Sequence, residues 1–302
     1  MTRMRVRTLA FLLLGTATAL PAQGAILDVL DGETLYDGGW LATIGHELQR
    51  RDTLRTGSDR VADPLATHEL EQRTTLGVQY GLRHDLQLGL SLSWAHLEAD
   101  SALGSQEADG FGDLGLLVKY RFLRLDERGS ATNFSVLGGV SLPTGDDDQQ
   151  SGGVELPPDL QPGTGSVDPM LGAAVTHEPG RWRFNAALMW QLHTDLDDDG
   201  DRRGDELLLE LAAGNRFWLE PYPGPFMRLD GIVRWYREGR DRMDGPLPDT
   251  GGERLAAGLN WAFRPRPEFD IQVYAEVPVH EHVRGTQLGH DWQLDITFGY
   301  RF

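Results

Sequence analysis

Trp292-Gln-Leu-Asp-Ile-Thr-Phe-Gly-Tyr-Arg-Phe302 ends the chain. In an extended strand successive side chains point to opposite faces. Trp292, Leu294, Ile296, Phe298, Tyr300 and Phe302 therefore share one face, while Gln293, Asp295, Thr297, Gly299 and Arg301 share the other. A half-buried strand of an ordinary sheet can alternate in this way. A strictly apolar face with aromatics at both ends is also what a strand facing lipid requires.

The same alternation recurs upstream with no comparable helical period. Strands are expected over Trp40–Gln49, Leu70–Leu82, Leu86–Leu97, Asp113–Leu123, Phe134–Leu142 and Val167–His177. They continue over Trp182–Leu192, Glu206–Leu219, Phe226–Glu238, Glu253–Arg264, Phe269–Val279 and the terminal stretch. Short links alternate with long ones, as in barrels with short periplasmic turns and longer external loops. The link Arg124–Asn133 is the exception, being long on the short side. The expected fold is all-β: a transmembrane antiparallel up-and-down β-barrel of about 12 strands with both termini periplasmic. Trp40, Trp182, Trp261, Phe269, Tyr300 and Phe302 should then lie near one interface, and Trp94, Trp190, Trp235 and Trp292 near the other. An aromatic as the last residue also resembles the C-terminal signal of outer-membrane barrels, which implies the barrel insertion machinery as a partner of Phe302.

Arg3, Arg5 and Arg7 precede the apolar run Leu9–Leu14 and small residues up to Gly24. This reads as a secretory signal peptide over residues 1–24, cut after Ala22 or Gly24, which leaves 25–302 as a single barrel domain. The absence of cysteine removes disulfides and a lipid-modified cysteine. A net charge of -18 argues against nucleic acid, which attracts basic faces. The expected surroundings are outer-membrane lipid and lipopolysaccharide, with the protein a monomer.

Three segments carry a resemblance. They are Gly110-Phe-Gly-Asp-Leu-Gly-Leu-Leu-Val-Lys-Tyr-Arg-Phe122, Leu137-Gly-Gly-Val-Ser-Leu-Pro-Thr-Gly-Asp146 and Gly163-Thr-Gly-Ser-Val-Asp-Pro-Met-Leu-Gly172. Their order resembles the MetA family of transporters of the phenol-degradation meta-pathway. The resemblance implies transport of small organic molecules and names no catalytic residue.

Candidate chemistry lies in three places. Asp195, Asp197, Asp199, Asp201 and Glu206 have the spacing of a calcium loop, read either as a Ca2+ site or as a solvated acidic turn. The same loop could bridge Ca2+ or Mg2+ to lipopolysaccharide phosphates. His280, Glu281, His282 and His290 suggest a transition-metal site set against ordinary loop histidines. Outward His46 and His96 have no evident partner for hydrolase chemistry, so no enzymatic activity and no obligatory cofactor are expected. Inward-pointing Arg121, Arg183, Glu210, Arg216, Arg228, Asp230, Arg234 and Glu276 should tune a lumen that is either plugged by ion pairs or a narrow wet pore. The functional expectation is passive passage of small solutes. The alternative is a closed structural or surface-interaction barrel with cation-binding external loops.

Overall fold

The structure is a computed structural model that describes residues 30–151, 154–157, 160–194, 202–242 and 245–302. Twelve long strands form the wall. They are β1 (Trp40–Arg51), β2 (His68–Arg83), β3 (Leu86–Ser101), β4 (Leu114–Glu127), β5 (Ser130–Leu142) and β6 (Asp168–Pro179). The second half is β7 (Trp182–Gln191), β8 (Glu206–Leu219), β9 (Phe226–Glu238), β10 (Gly252–Arg266), β11 (Phe269–Val283) and β12 (Trp292–Arg301). Each pairs antiparallel with the next. The sheet closes where β12 meets β1, with Ile44 opposite Phe298 and β1 in turn paired to β2. Closure leaves the wall without a free edge, so the backbone groups are satisfied within the sheet.

Burial is inverted relative to a soluble domain. Glu47, Arg73, Lys119, Asp230, Arg234 and Glu276 point inward and are buried. Leu76, Leu211, Val233, Leu259 and Phe298 point outward and are exposed. An outward apolar band of this kind is stable only against hydrocarbon.

The short links are as tight as the pattern demands, including the apparent exception. β4 and β5 stay paired to Glu127 opposite Ser130, so the Arg124–Asn133 link is mostly strand and turns at Arg128-Gly129. Gly129 has φ +84°, a conformation that costs a side-chain-bearing residue dearly. With an even strand count, the short turns and the chain's C-terminus lie at one end of the barrel, here called the turn end. The long connections lie at the loop end. Aromatics mark the turn end as a near-continuous belt: Trp40 packs on Tyr80 and Phe302, Tyr300 on Phe269, Trp182 on Phe184, and Trp261 on Phe263. The tryptophans expected at the opposite interface, Trp94, Trp190 and Trp292, are outward and exposed, with Trp235 half-buried.

One stretch of wall departs from simple pairing. β3 meets β4 from Leu86 opposite Tyr120 to Ser91 opposite Gly115, and its remaining half pairs with the strand Gly104–Phe111. That added strand lies within the long connection expected between β3 and β4, and makes a hairpin rising from the loop end.

Candidate functional site: a charged lumen closed at both ends

The lumen wall follows from strand parity, since every second residue of a twelve-strand barrel points inward. Paired charges fill its middle. Arg234 on β9 reaches Glu210 on β8 at 2.9 Å and Glu276 on β11 at 3.8 Å, and Arg254 on β10 reaches Glu276 at 3.5 Å. The Arg234 guanidinium stands 4.4 Å from the Tyr274 ring, and that of Arg254 stands 4.2 Å from Tyr236. Tyr274 donates its hydroxyl proton to Glu276 at 2.5 Å. Buried charges persist because each has an opposite charge or a donor in contact.

Nearer the turn end lies a cavity of about 190 Å³, bounded by Arg183, Arg228, Arg264, Arg301, Phe226 and Gln272 among others. Arg228 pairs with Asp230 at 2.8 Å, and Arg264 and Arg301 both reach Asp270 at 2.9 Å. Arg216 pairs with Glu178. Of the eight lumen residues read from sequence, seven take part in inward ion pairs, in separate groups: Arg234 with Glu210 and Glu276, Arg228 with Asp230, Arg216 with Glu178, and Arg183 with Asp31. Arg121 does not: it donates to the His84 carbonyl oxygen at the β2–β3 turn.

Two closures were not legible as strands. The first is the segment preceding β1, which runs inside the barrel. Asp31 accepts from Lys119 at 2.7 Å and from Arg183 at 2.8 Å, and is itself buried. Backbone contacts extend the hold. Gly32 N donates to Thr176 Oγ1 at 2.9 Å, Ser135 Oγ donates to Gly32 O at 2.8 Å, and Asn185 donates to Leu30 O at 2.8 Å. Leu30 completes an apolar cluster with Leu137, Ala187, Met189 and Leu208 across the lumen. Burial by itself would raise the Asp31 carboxyl, but Lys119 and Arg183 outweigh it and hold the group below its usual range.

The second closure is the connection from β5 to β6, which folds into the loop end. Asp113 organises it: Oδ1 accepts from Thr144 N at 3.2 Å and Gly145 N at 2.9 Å, and Oδ2 accepts from Thr164 N at 2.8 Å and Oγ1 at 2.7 Å. Asp146 accepts from Phe111 N at 2.7 Å, and Asp168 accepts from Ser166 Oγ and Thr164 Oγ1. The three resemblance motifs thus converge in one knot. Its glycines are needed for close approach, since a Cβ on Gly145 would lie 2.7 Å from the Phe111 oxygen. Beneath it Leu156 and Leu160 pack on Ala95, Leu97, Ala99 and Ala108.

The metal candidates fare differently. Asp195, Asp197, Asp199 and Asp201 lie outside the described residues, and Glu206 begins β8 with its carboxyl buried and inward. The histidine set does not assemble. His290 is buried inward beside Gln49, while exposed His282 meets Ser58 at 3.1 Å. Among the described residues no three acidic or imidazole side chains converge for a metal. His46 and His96 do have partners, Thr74 at 2.9 Å and Asp109 at 2.7 Å.

A closed antiparallel barrel with an apolar exterior and a charged, occluded interior is the build of an outer-membrane β-barrel. The chain belongs to the family of the MetA-pathway of phenol degradation, whose profile matches residues 65–292. Among solved structures it is similar to the COG4313 outer membrane channel from Pseudomonas putida F1. The identity is 18%, the TM-score 0.68, and the match covers 90% of this chain and 98% of that one. The β domain of the Bordetella autotransporter BrkA matches more loosely, at 12% identity and TM-score 0.48 over 89% of this chain and 100% of the other. Curated proteins give no match.

Proposed function

We propose that the protein is an outer-membrane channel through which small solutes pass by diffusion or facilitated transport, with no cofactor and no catalysis. In this reading both termini and the short turns face the periplasm, and the segment before β1 enters the lumen from that side after signal-peptide removal. The observation that carries the reading is a charged cavity inside a closed barrel, separated from the turn end by a short segment rather than by the wall itself. Membership of a family described by phenol degradation, and similarity to a barrel described as a channel, support small organic molecules as the solute class. Arg183, Arg216, Arg228, Arg234, Glu210, Asp230 and Glu276 line the route and set its selectivity. Arg121 stands at its mouth. The barrel acts as a monomer seated in lipopolysaccharide and lipid, delivered by the insertion machinery through Phe302. If the acidic loop ending at Glu206 binds a cation, Ca2+ is its match.

The double closure favours a second reading, a sealed barrel whose external loops meet a partner. Planar-bilayer recording of the processed chain, with and without residues 30–36, separates the two. A channel gives conductance steps that grow when the segment is removed. A sealed barrel inserts silently in both forms.

A further inference from the structure

The cavity near the turn end carries a surplus of positive charge in a chain whose net charge is -18. Arg183, Arg228, Arg264 and Arg301 line it, against Asp31, Glu33 and Asp270. Behind them Lys119 and Arg216 are offset by Asp230 and Glu178, so the whole group keeps one positive charge in excess. The excess has a place. Arg264 on β10 and Arg301 on β12 share one carboxylate, Asp270, and both reach the same oxygen, Oδ2, at 2.9 Å.

Donors are left over as well. Arg264 gives one terminal nitrogen to Asp270, and its Nε is buried with no acceptor among the described residues. Arg228 on β9 holds Asp230 through Nε at 2.8 Å, and its terminal nitrogens make no hydrogen bond among the described residues. Strand register brings the two arginines together: Arg228 stands opposite Ala262, two residues from Arg264, within reach of long side chains. A buried donor without an acceptor keeps its desolvation cost, and the guanidinium fork matches a carboxylate. Beside these charges the cavity has an apolar side made of Leu35, Leu41, Phe226 and Ala262. The Phe226 ring is braced by the guanidiniums of Arg264 at 4.9 Å and Arg216 at 5.7 Å. The cavity volume of about 190 Å³ exceeds the roughly 150 Å³ that admits benzene to an engineered core cavity.

We propose that this cavity binds a small organic monocarboxylate, its carboxylate on Arg264 and Arg228 and its apolar body, up to one ring in size, beside Phe226. One surplus charge suits a monoanion, whereas a phosphate monoester brings about two. As the identity of the permeating solute this assignment rests on the channel reading; as a binding site it does not.

Equilibrium dialysis of the folded barrel in detergent against radiolabelled benzoate tests the site. The expected result is saturable retention, displaced by unlabelled benzoate and far less by benzamide or benzylamine, which keep the ring and lack the negative charge. Arg264→Gln leaves Asp270 with Arg301, so no carboxylate is stranded, and it should weaken retention roughly tenfold, about 1.4 kcal/mol. Ala262→Leu fills the space and changes no charge, and should weaken retention by a similar factor. Either variant serves if the other lacks the gel shift of a folded barrel. Absence of saturable retention by the unaltered chain overturns the proposal, as does undiminished retention by the folded variants. Displacement by benzamide, or by inorganic phosphate, as effective as that by benzoate also overturns it. Retention with silent bilayers keeps the site and removes the channel, and conductance without retention does the reverse.

Discussion

Asp31 takes two cations at once, Lys119 at 2.7 Å and Arg183 at 2.8 Å, in a lumen that offers neither of them much water. Removing one partner of a buried pair is far costlier than removing both. Asp31→Asn keeps the shape and deletes the charge, so it should loosen the segment by about 3 kcal/mol. The chain has no cysteine, so Thr34→Cys gives a clean reporter. Maleimide labelling at that position should speed up markedly when Asp31→Asn is added, and an unchanged rate would show that the segment is held by its backbone contacts alone. His290 offers a test by pH. Burial first, then the nearby Arg254 and Arg51 guanidiniums, hold its imidazole well below the usual value of 6.5. The unfolded chain therefore takes up a proton that the folded one refuses, and the group's stabilising contribution is complete above about pH 6.5 and falls as the pH drops below it. Amide protection factors over residues 286–291, taken relative to the intrinsic base-catalysed rate at each pH, should fall between about pH 7.5 and about pH 5, and His290→Gln should flatten that dependence.

At the scale of the element, the loop-end knot rests on Asp113, whose two oxygens accept four hydrogen bonds from two stretches of the same connection. Hydrogen bonds to a charged acceptor contribute roughly 1.5–3 kcal/mol each at most, and not additively. Asp113→Ala should therefore free the connection without unfolding the wall. Proteolysis would then cut between residues 143 and 167 while the gel shift of the folded barrel persists; loss of both together would mean that the knot is needed for folding. The strands themselves were legible because period-two alternation is a local signal. All twelve were placed, with Glu206–Leu219 and Phe226–Glu238 matching end to end. Ends were missed where a strand continues past its apolar face into polar residues, as at Glu98–Ser101 and Arg124–Glu127. The knot's residues were visible as motifs, but their convergence was not, because Asp113 and Thr164 are far apart in sequence. Asp31 carried no pattern at all: a short stretch without alternation says nothing about what it will plug.

For the whole molecule, inward and outward faces divide the chemistry. Inward charges follow from parity, whereas their pairing depends on register, which no single strand reveals. Arg234 meets Glu210 because β8 and β9 place those two residues opposite each other. Outside, the apolar band between the aromatic belt and the outer tryptophans defines where hydrocarbon must lie. A scan of single nitroxide labels along β12 in lipid vesicles measures this directly, since oxygen concentrates in the bilayer and the lumen is packed with charge. Labels replacing Leu294, Ile296 and Phe298 should show high collision rates with oxygen, alternating with low rates at Asp295, Thr297 and Gly299. Uniform rates along the strand, or the opposite alternation, would contradict the barrel as described.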